Sequence, residues 1–180
     1  MSVKITSVAT QLPPYTRSTE EIIPFLKVWL SGQEERYQRK VIKLFENAGV
    51  ERRYSIMDAE EVFLHTSFEQ KNDIYKRETI KLAEGALTKA LDKAGITPTD
   101  IDFIITVSCT GIMIPSVDAY LINKLNMKQD IVRLPVTEMG CVAGVSGMIY
   151  ANNFLKANPN KRAVVIAVES PTSTFQIEDY

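Results

Sequence analysis

The sequence predicts an α/β protein, a mainly parallel sheet covered by helices on both faces, and three observations carry that prediction. Three apolar runs, residues 101–108, 131–136 and 162–169, read as buried strands. Helical patterns separate them, and strands that alternate with helices join into parallel sheets by crossovers. The middle run then turns through Gly140 into a helix of small and apolar residues, with a single thiol, Cys141, standing at the join.

Composition narrows the function classes. A chain of 180 residues, 45% of them hydrophobic, is one domain's length with ample material for a core. A net charge of −1 gives no electrostatic case for nucleic acid or an anionic membrane surface. Two cysteines and one histidine make no disulfide framework and leave a metal site few ligands. Residues 1–10 lack the basic start and apolar run of a signal peptide, and no stretch approaches about 18 apolar residues. The default expectation is a soluble protein of the reducing cytoplasm.

Taken in order, residues 3–10 alternate as a strand does and stop at Pro13-Pro14. Ser18 with Glu21 forms a capping box ahead of Ile22, Ile23, Phe25, Leu26 and Trp29, which starts a helix. A second helix is expected over 34–48, closed by Gly49, with Arg36, Arg39, Lys40 and Lys43 along it. Such a basic helix is ordinarily a solvated face. Residues 50–55 read as a short extended piece and 58–73 as helix and loop; His65, among Phe63, Leu64 and Phe68, reads as an ordinary core or surface residue. The strongest helical periodicity runs from 74 to 94, ending at Gly95. A turn at 97–100 leads into the first buried strand, which ends in Cys109-Thr110-Gly111; Pro115-Ser116 opens a helix with Val117, Tyr120, Leu121 and Leu125. Asn158-Pro159-Asn160 turns the chain into the third strand, which ends at Glu169.

In open parallel sheets the chemistry collects at the carboxyl ends of the strands. Cys109, Cys141 and Glu169 all fall there, so one mouth could hold all three. Cys141 has two readings. Free cysteine often serves as a small core hydrophobe. Against that, unpaired N–H groups and the helix dipole at a helix start favour thiolate over thiol. Gly140, Gly144 and Gly147 also clear one side of the helix, and each glycine inside a helix costs about 1 kcal/mol relative to alanine, which suggests a close approach by backbone or ligand.

The order of elements, the Cys109-Thr110-Gly111 to Pro115 loop, the Glu138-Met139-Gly140-Cys141-Val142-Ala143-Gly144 elbow and the Val168-Glu169-Ser170 strand end resemble the N-terminal half of a type III polyketide synthase, a chalcone synthase-like enzyme of the thiolase superfamily. The resemblance covers essentially residues 1–180 and implies a thiolase-like half with mainly parallel sheet. The elbow also resembles that of ketoacyl synthase III of fatty-acid synthesis, a relative with the same thiol position. The resemblance implies that Cys141 accepts an acyl group from acyl-CoA and extends it by decarboxylative condensation with malonyl-CoA, both as substrates, with no permanently bound cofactor and no metal. It places coenzyme A phosphates on Lys40 and Lys43, with Asn47 where a third basic residue is usual. It places Cys109, Thr110, Glu169 and Thr174 around the substrate cavity, with Pro171 in place of a frequent threonine. It puts Ile114 across a homodimer interface.

The same resemblance implies a second half that carries the catalytic histidine and asparagine; neither motif occurs before Tyr180, and His65 does not match. The expectation is an N-terminal acyltransferase domain that contacts its own C-terminal half, does not condense by itself, and self-associates through the face so exposed. Two other readings are a non-catalytic thiolase-fold module that binds an acyl-CoA or a partner protein, and an unrelated α/β domain in which the glycines and Cys141 merely pack.

Overall fold

The computed structural model describes residues 2–63 and 67–176. His65 lies outside them. The chain divides into two compact units, Met1–Gln11 with Lys76–Glu169, and Leu12–Tyr75 with Ser170–Tyr180.

The first unit holds the sheet. Strands β3 (Phe103–Ser108), β4 (Val132–Thr137) and β5 (Ala163–Ala167) pair in parallel in the order β4-β3-β5. The register sets Ser108 opposite Thr137 and Val107 opposite both Val136 and Ala167. Side chains alternate across a strand. Phe103, Ile105 and Val107 therefore share one face, where they pack with Val136 and with Ala143 and Ala151 of helix α6 (Ala143–Ala157). Thr106 faces the other way and donates its hydroxyl to Asp118 at 3.3 Å, on helix α5 (Val117–Lys124). Helices thus cover both faces, as predicted. Helix α4 (Phe68–Ala94) begins six residues before the predicted Ile74, because polar residues 69–73 carry no apolar periodicity, and it ends as expected at Gly95, φ +66°.

At the amino ends of the strands, Asp102 binds three partners. Lys128 Nζ and Lys161 Nζ donate to Oδ1 at 2.7 and 2.9 Å, and the Arg162 N–H donates to Oδ2 at 2.9 Å. Burial opposes the charge, but these donors outweigh it and hold the Asp102 carboxyl far below the usual carboxylate range. A depressed folded-state pKa contributes stability that is present above the unfolded value, near pH 4, and lost as pH falls toward the folded value. Asp102→Asn is therefore expected to flatten the acid limb of a stability-against-pH curve below about pH 4. An acid limb unchanged in this variant would remove Asp102 from the account.

Residues 3–10 depart from expectation. They take no regular secondary structure and join no ladder among the described residues. Alternation gives a segment the shape of a strand, while a strand also needs a neighbour to accept its hydrogen bonds. This segment is held instead by side-chain bonds to α4, with Ser7 Oγ donating to the Ala90 carbonyl at 2.8 Å and Lys93 Nζ to the Val8 carbonyl at 3.1 Å. Val3, Ile5 and Val8 stay exposed. A groove of about 690 Å³ runs between Val3–Ala9 and β5, floored by α4 and α6.

The second unit holds an antiparallel pair, β1 (Tyr15–Ser18) with β2 (Arg52–Ser55), in which Tyr15 lies opposite Ser55. The sequence reading did not single out β1, whose four polar or aromatic residues follow two prolines. Helix α1 (Thr19–Trp29) starts on the predicted capping box, with the Glu21 N–H donating to Ser18 Oγ at 3.2 Å and the Ser18 N–H to Glu21 Oε2 at 2.6 Å. Helix α2 spans Glu35–Glu46, with Asn47 as its C-cap and Gly49 beyond it at φ +67°. Helix α3 (Ala59–Phe63) is short. Lys71 is 1% exposed, and its ammonium donates to the Phe175 and Val62 carbonyls at 2.5 and 3.3 Å. Burial pushes its pKa down. No helix among the described residues is long and apolar enough to cross a membrane.

Candidate active site

Parallel strands all point their carboxyl ends to the same side of a sheet, and the residues just past those ends share it. Cys109 follows β3, the cysteine elbow follows β4, and Glu169 lies two residues past β5.

The elbow reverses the chain over few residues. Glu138 takes φ +61° and Gly140 φ +64°, both left-handed, a region that glycine enters at no steric cost. Cys141 is the middle residue of a single 3₁₀ turn, Gly140–Val142, from which α6 continues. The thiol therefore stands just ahead of the α-helix and is exposed and free, so packing as a core residue does not account for it. The three glycines serve different ends. Gly147 is the close approach: a Cβ there would meet Val165 Cγ1 at 3.0 Å and Ile105 Cγ2 at 3.5 Å, so its absence lets α6 lie flat on the sheet. A Cβ on Gly140 or Gly144 would meet nothing within 4 Å, which leaves positive φ as the requirement at Gly140.

Glu169 organises the neighbouring strand end. Its Oε1 and Oε2 accept from the Cys109 N–H at 3.0 and 3.1 Å. Oε2 also accepts from the Thr110 N–H at 3.1 Å and from Thr110 Oγ1 at 2.6 Å, with Ser108 Oγ at 3.4 Å. The Cys109 thiol is pushed up from its ordinary value. Loss of hydration around the sulfur is the first cause, followed by the Glu169 charge, its hydrogen bond and the charge of Cys141. Cys109 is nonetheless exposed as a residue, so desolvation is partial and the fixed carboxylate is the specific cause.

The other predicted residues take these places. Ile114 is 92% exposed on the loop between β3 and α5, beside a cis Ile114–Pro115 bond. In the second unit, Thr174 closes a 3₁₀ turn, Pro171–Thr174, and its hydroxyl donates to the Pro171 carbonyl at 2.8 Å. Lys40 and Lys43 are exposed one turn apart on α2, a helix with no buried residue, and neither makes an ion pair among the described residues. Sequence reasoning missed Lys71, a basic residue in a polar stretch with no local signal of burial.

A parallel sheet layered between helices, with an exposed thiol on a glycine elbow at its carboxyl end, defines a thiolase-like α/β protein. The description FAE1/type III polyketide synthase-like protein matches residues 16–177, and the chain belongs to that family. It is 36% identical over 138 residues to the 1,3,6,8-tetrahydroxynaphthalene synthase of Streptomyces coelicolor, a match covering 77% of this chain and 37% of that protein. It is 31% identical over 137 residues to the phloroglucinol synthase of Pseudomonas fluorescens, covering 76% of this chain and 39% of that one. The crystal structure of the Streptomyces coelicolor synthase superimposes with a TM-score of 0.89 at 31% identity, over 96% of this chain and 49% of that one. The chain thus spans half or less of the length of these relatives.

Proposed function

We propose that the chain is the thiol-bearing half of an acyltransferase that builds polyketides. The observation that carries this is the free, exposed Cys141 on the Gly140 elbow. In the proposed first step the Cys141 thiolate attacks the carbonyl of an acyl-CoA, and the coenzyme A thiolate leaves. Malonyl-CoA then loses carbon dioxide, and the resulting carbanion attacks the thioester, forming the carbon–carbon bond and releasing the Cys141 thiolate. Covalent catalysis of this kind divides one hard transfer into two easier ones. Lys40 and Lys43 hold the coenzyme A phosphates, for which their exposed spacing on α2 is suited. Cys109, Thr110, Glu169 and Thr174 line the substrate cavity, and Ile114 reaches across a homodimer. Likeness to a tetrahydroxynaphthalene synthase favours a polyketide product over fatty-acid synthesis.

Condensation requires the half of the relatives' length that this chain does not match, which supplies the histidine and asparagine. One missing oxyanion donor alone costs about 10²–10³ in rate. The groove beside β5 supports this reading: among the described residues β5 pairs only with β3 and residues 3–9 join no ladder, and both line the groove, a setting suited to added strand from a completing polypeptide. The 180 residues alone, given acyl-CoA and malonyl-CoA, should release no polyketide, while co-expression with the complementary half should restore synthesis. Polyketide release by the 180 residues alone would contradict this division of labour.

A further inference from the structure

Helix α2 carries the two lysines that the proposed function assigns to the coenzyme A phosphates, yet none of its residues is buried. Gln38, Val41, Ile42 and Phe45 form a half-buried face at helical spacing, while Lys40 and Lys43 are exposed. A helix with so little packing is free to open locally, and two mobile cations incur an ordering cost when they close on a ligand. Something must therefore fix α2 if the pair is to meet phosphates at a set spacing.

We propose that Arg53 is the positioning residue for this helix, pinning its last turn so that Lys40 and Lys43 stand as a preset clamp for the phosphates of a coenzyme A thioester. The proposal rests on the reading of those lysines as phosphate ligands and adds the residue that holds them. Arg53 lies on β2, whose ladder sets it opposite Arg17. Its guanidinium lies over the Phe45 ring, 3.8 Å from the centroid, and Nη2 reaches the Phe45 carbonyl at 3.5 Å. That carbonyl is among the last four of α2, which find no donor inside the helix. A cation there also complements the negative end of the helix dipole. Nη1 donates to the Val50 carbonyl at 3.2 Å, just past Gly49, and to Thr19 Oγ1 at 2.5 Å. Thr19 opens α1, and its hydroxyl donates in turn to the same Val50 carbonyl at 2.5 Å. One side chain thus ties the end of α2, the turn after it and the start of α1. Lysine could supply the charge but not the planar face or the fork of donors.

An anchor of this kind acts on phosphate binding, so the effect is read by comparing coenzyme A with pantetheine, the same arm without its nucleotide and phosphates. Calorimetric titration of the 180-residue chain with each is set beside amide hydrogen exchange of α2. In Arg53→Met, coenzyme A should bind about tenfold more weakly and pantetheine as in wild type, while amides in the last turn of α2 exchange faster. Phe45→Leu, which removes the ring and leaves the guanidinium in place, should give a smaller loss of the same kind, about threefold. Arg53→Lys should leave most of the loss in place. The Lys40→Met, Lys43→Met double variant should lose coenzyme A affinity with α2 exchange unchanged. Equal coenzyme A affinity in wild type and Arg53→Met overturns the proposal, as do equal losses for coenzyme A and pantetheine, which report general loosening. Full recovery in Arg53→Lys also overturns it, by marking Arg53 as a charge and not an anchor. The double variant separates the two readings. A loss there with none in Arg53→Met rejects Arg53 alone; no loss there, or no coenzyme A binding in wild type, rejects the lysines as phosphate ligands and the proposal with them.

Discussion

Cys141→Ala, placed in the enzyme completed by its other half, is expected to lower polyketide formation by at least about 10³-fold, because the sulfur proposed to carry the growing chain as a thioester is gone. Serine at the same position should recover little, since an oxygen nucleophile lacks the acidity that makes a thiol useful near neutral pH. The variant should fold as the wild type does. Cys141 is exposed on a 3₁₀ turn, and its removal leaves no cavity in the sheet. Matching melting temperatures with lost synthesis therefore separate chemistry from stability. Synthesis retained in Cys141→Ala, with product still forming within tenfold of wild type, would show that the elbow thiol is not the acyl carrier.

The largest effect on stability is expected at Asp118. It is fully buried in the first turn of α5, accepts from Arg133 Nε at 2.6 Å and Thr106 Oγ1 at 3.3 Å, and is also bonded by Ser116 Oγ. This one carboxylate joins α5 to β3 and β4. Removing one member of a buried pair costs about 3–5 kcal/mol, because the remaining partner is left uncompensated. Arg133 is 43% exposed and can regain water, which places Asp118→Ala near the lower end, about 3 kcal/mol. For a domain of this size that is roughly 6–12 °C in melting temperature. The check is urea denaturation of the variant against wild type, and a loss below about 1 kcal/mol would mean that the pair contributes little.

The sheet was legible because its signals are local. Residues 101–108, 131–136 and 162–169 are apolar over the length of a buried strand, and Gly95 and Gly140 mark chain reversals by the positive φ they adopt. The Ser18 capping box was equally legible, since its donors and acceptors lie three residues apart. Residues 3–10 show where local reading stops: alternation was present, but no neighbouring strand receives the segment. The site divides the same way. Cys141 announces itself through Gly140, whereas the grip of Glu169 on Cys109 and Thr110 spans some sixty residues of sequence and exists only through the β3–β5 register. The three clustered glycines of the elbow looked alike in sequence, yet only Gly147 touches the sheet and Gly140 is the one with positive φ. Asp118 and Lys71 carry no sequence signal of burial, because each is charged and its partners come from other elements.

The central claim is that Cys141 receives acyl groups from coenzyme A thioesters. It is tested most directly by intact-mass measurement after incubating the chain with a panel of acyl-CoAs, followed by peptide mapping of any adduct. The account predicts a single added acyl mass, mapped to Cys141 and absent from Cys141→Ala. An adduct mapped to Cys109 instead, or none in the presence of the complementary half, would contradict it.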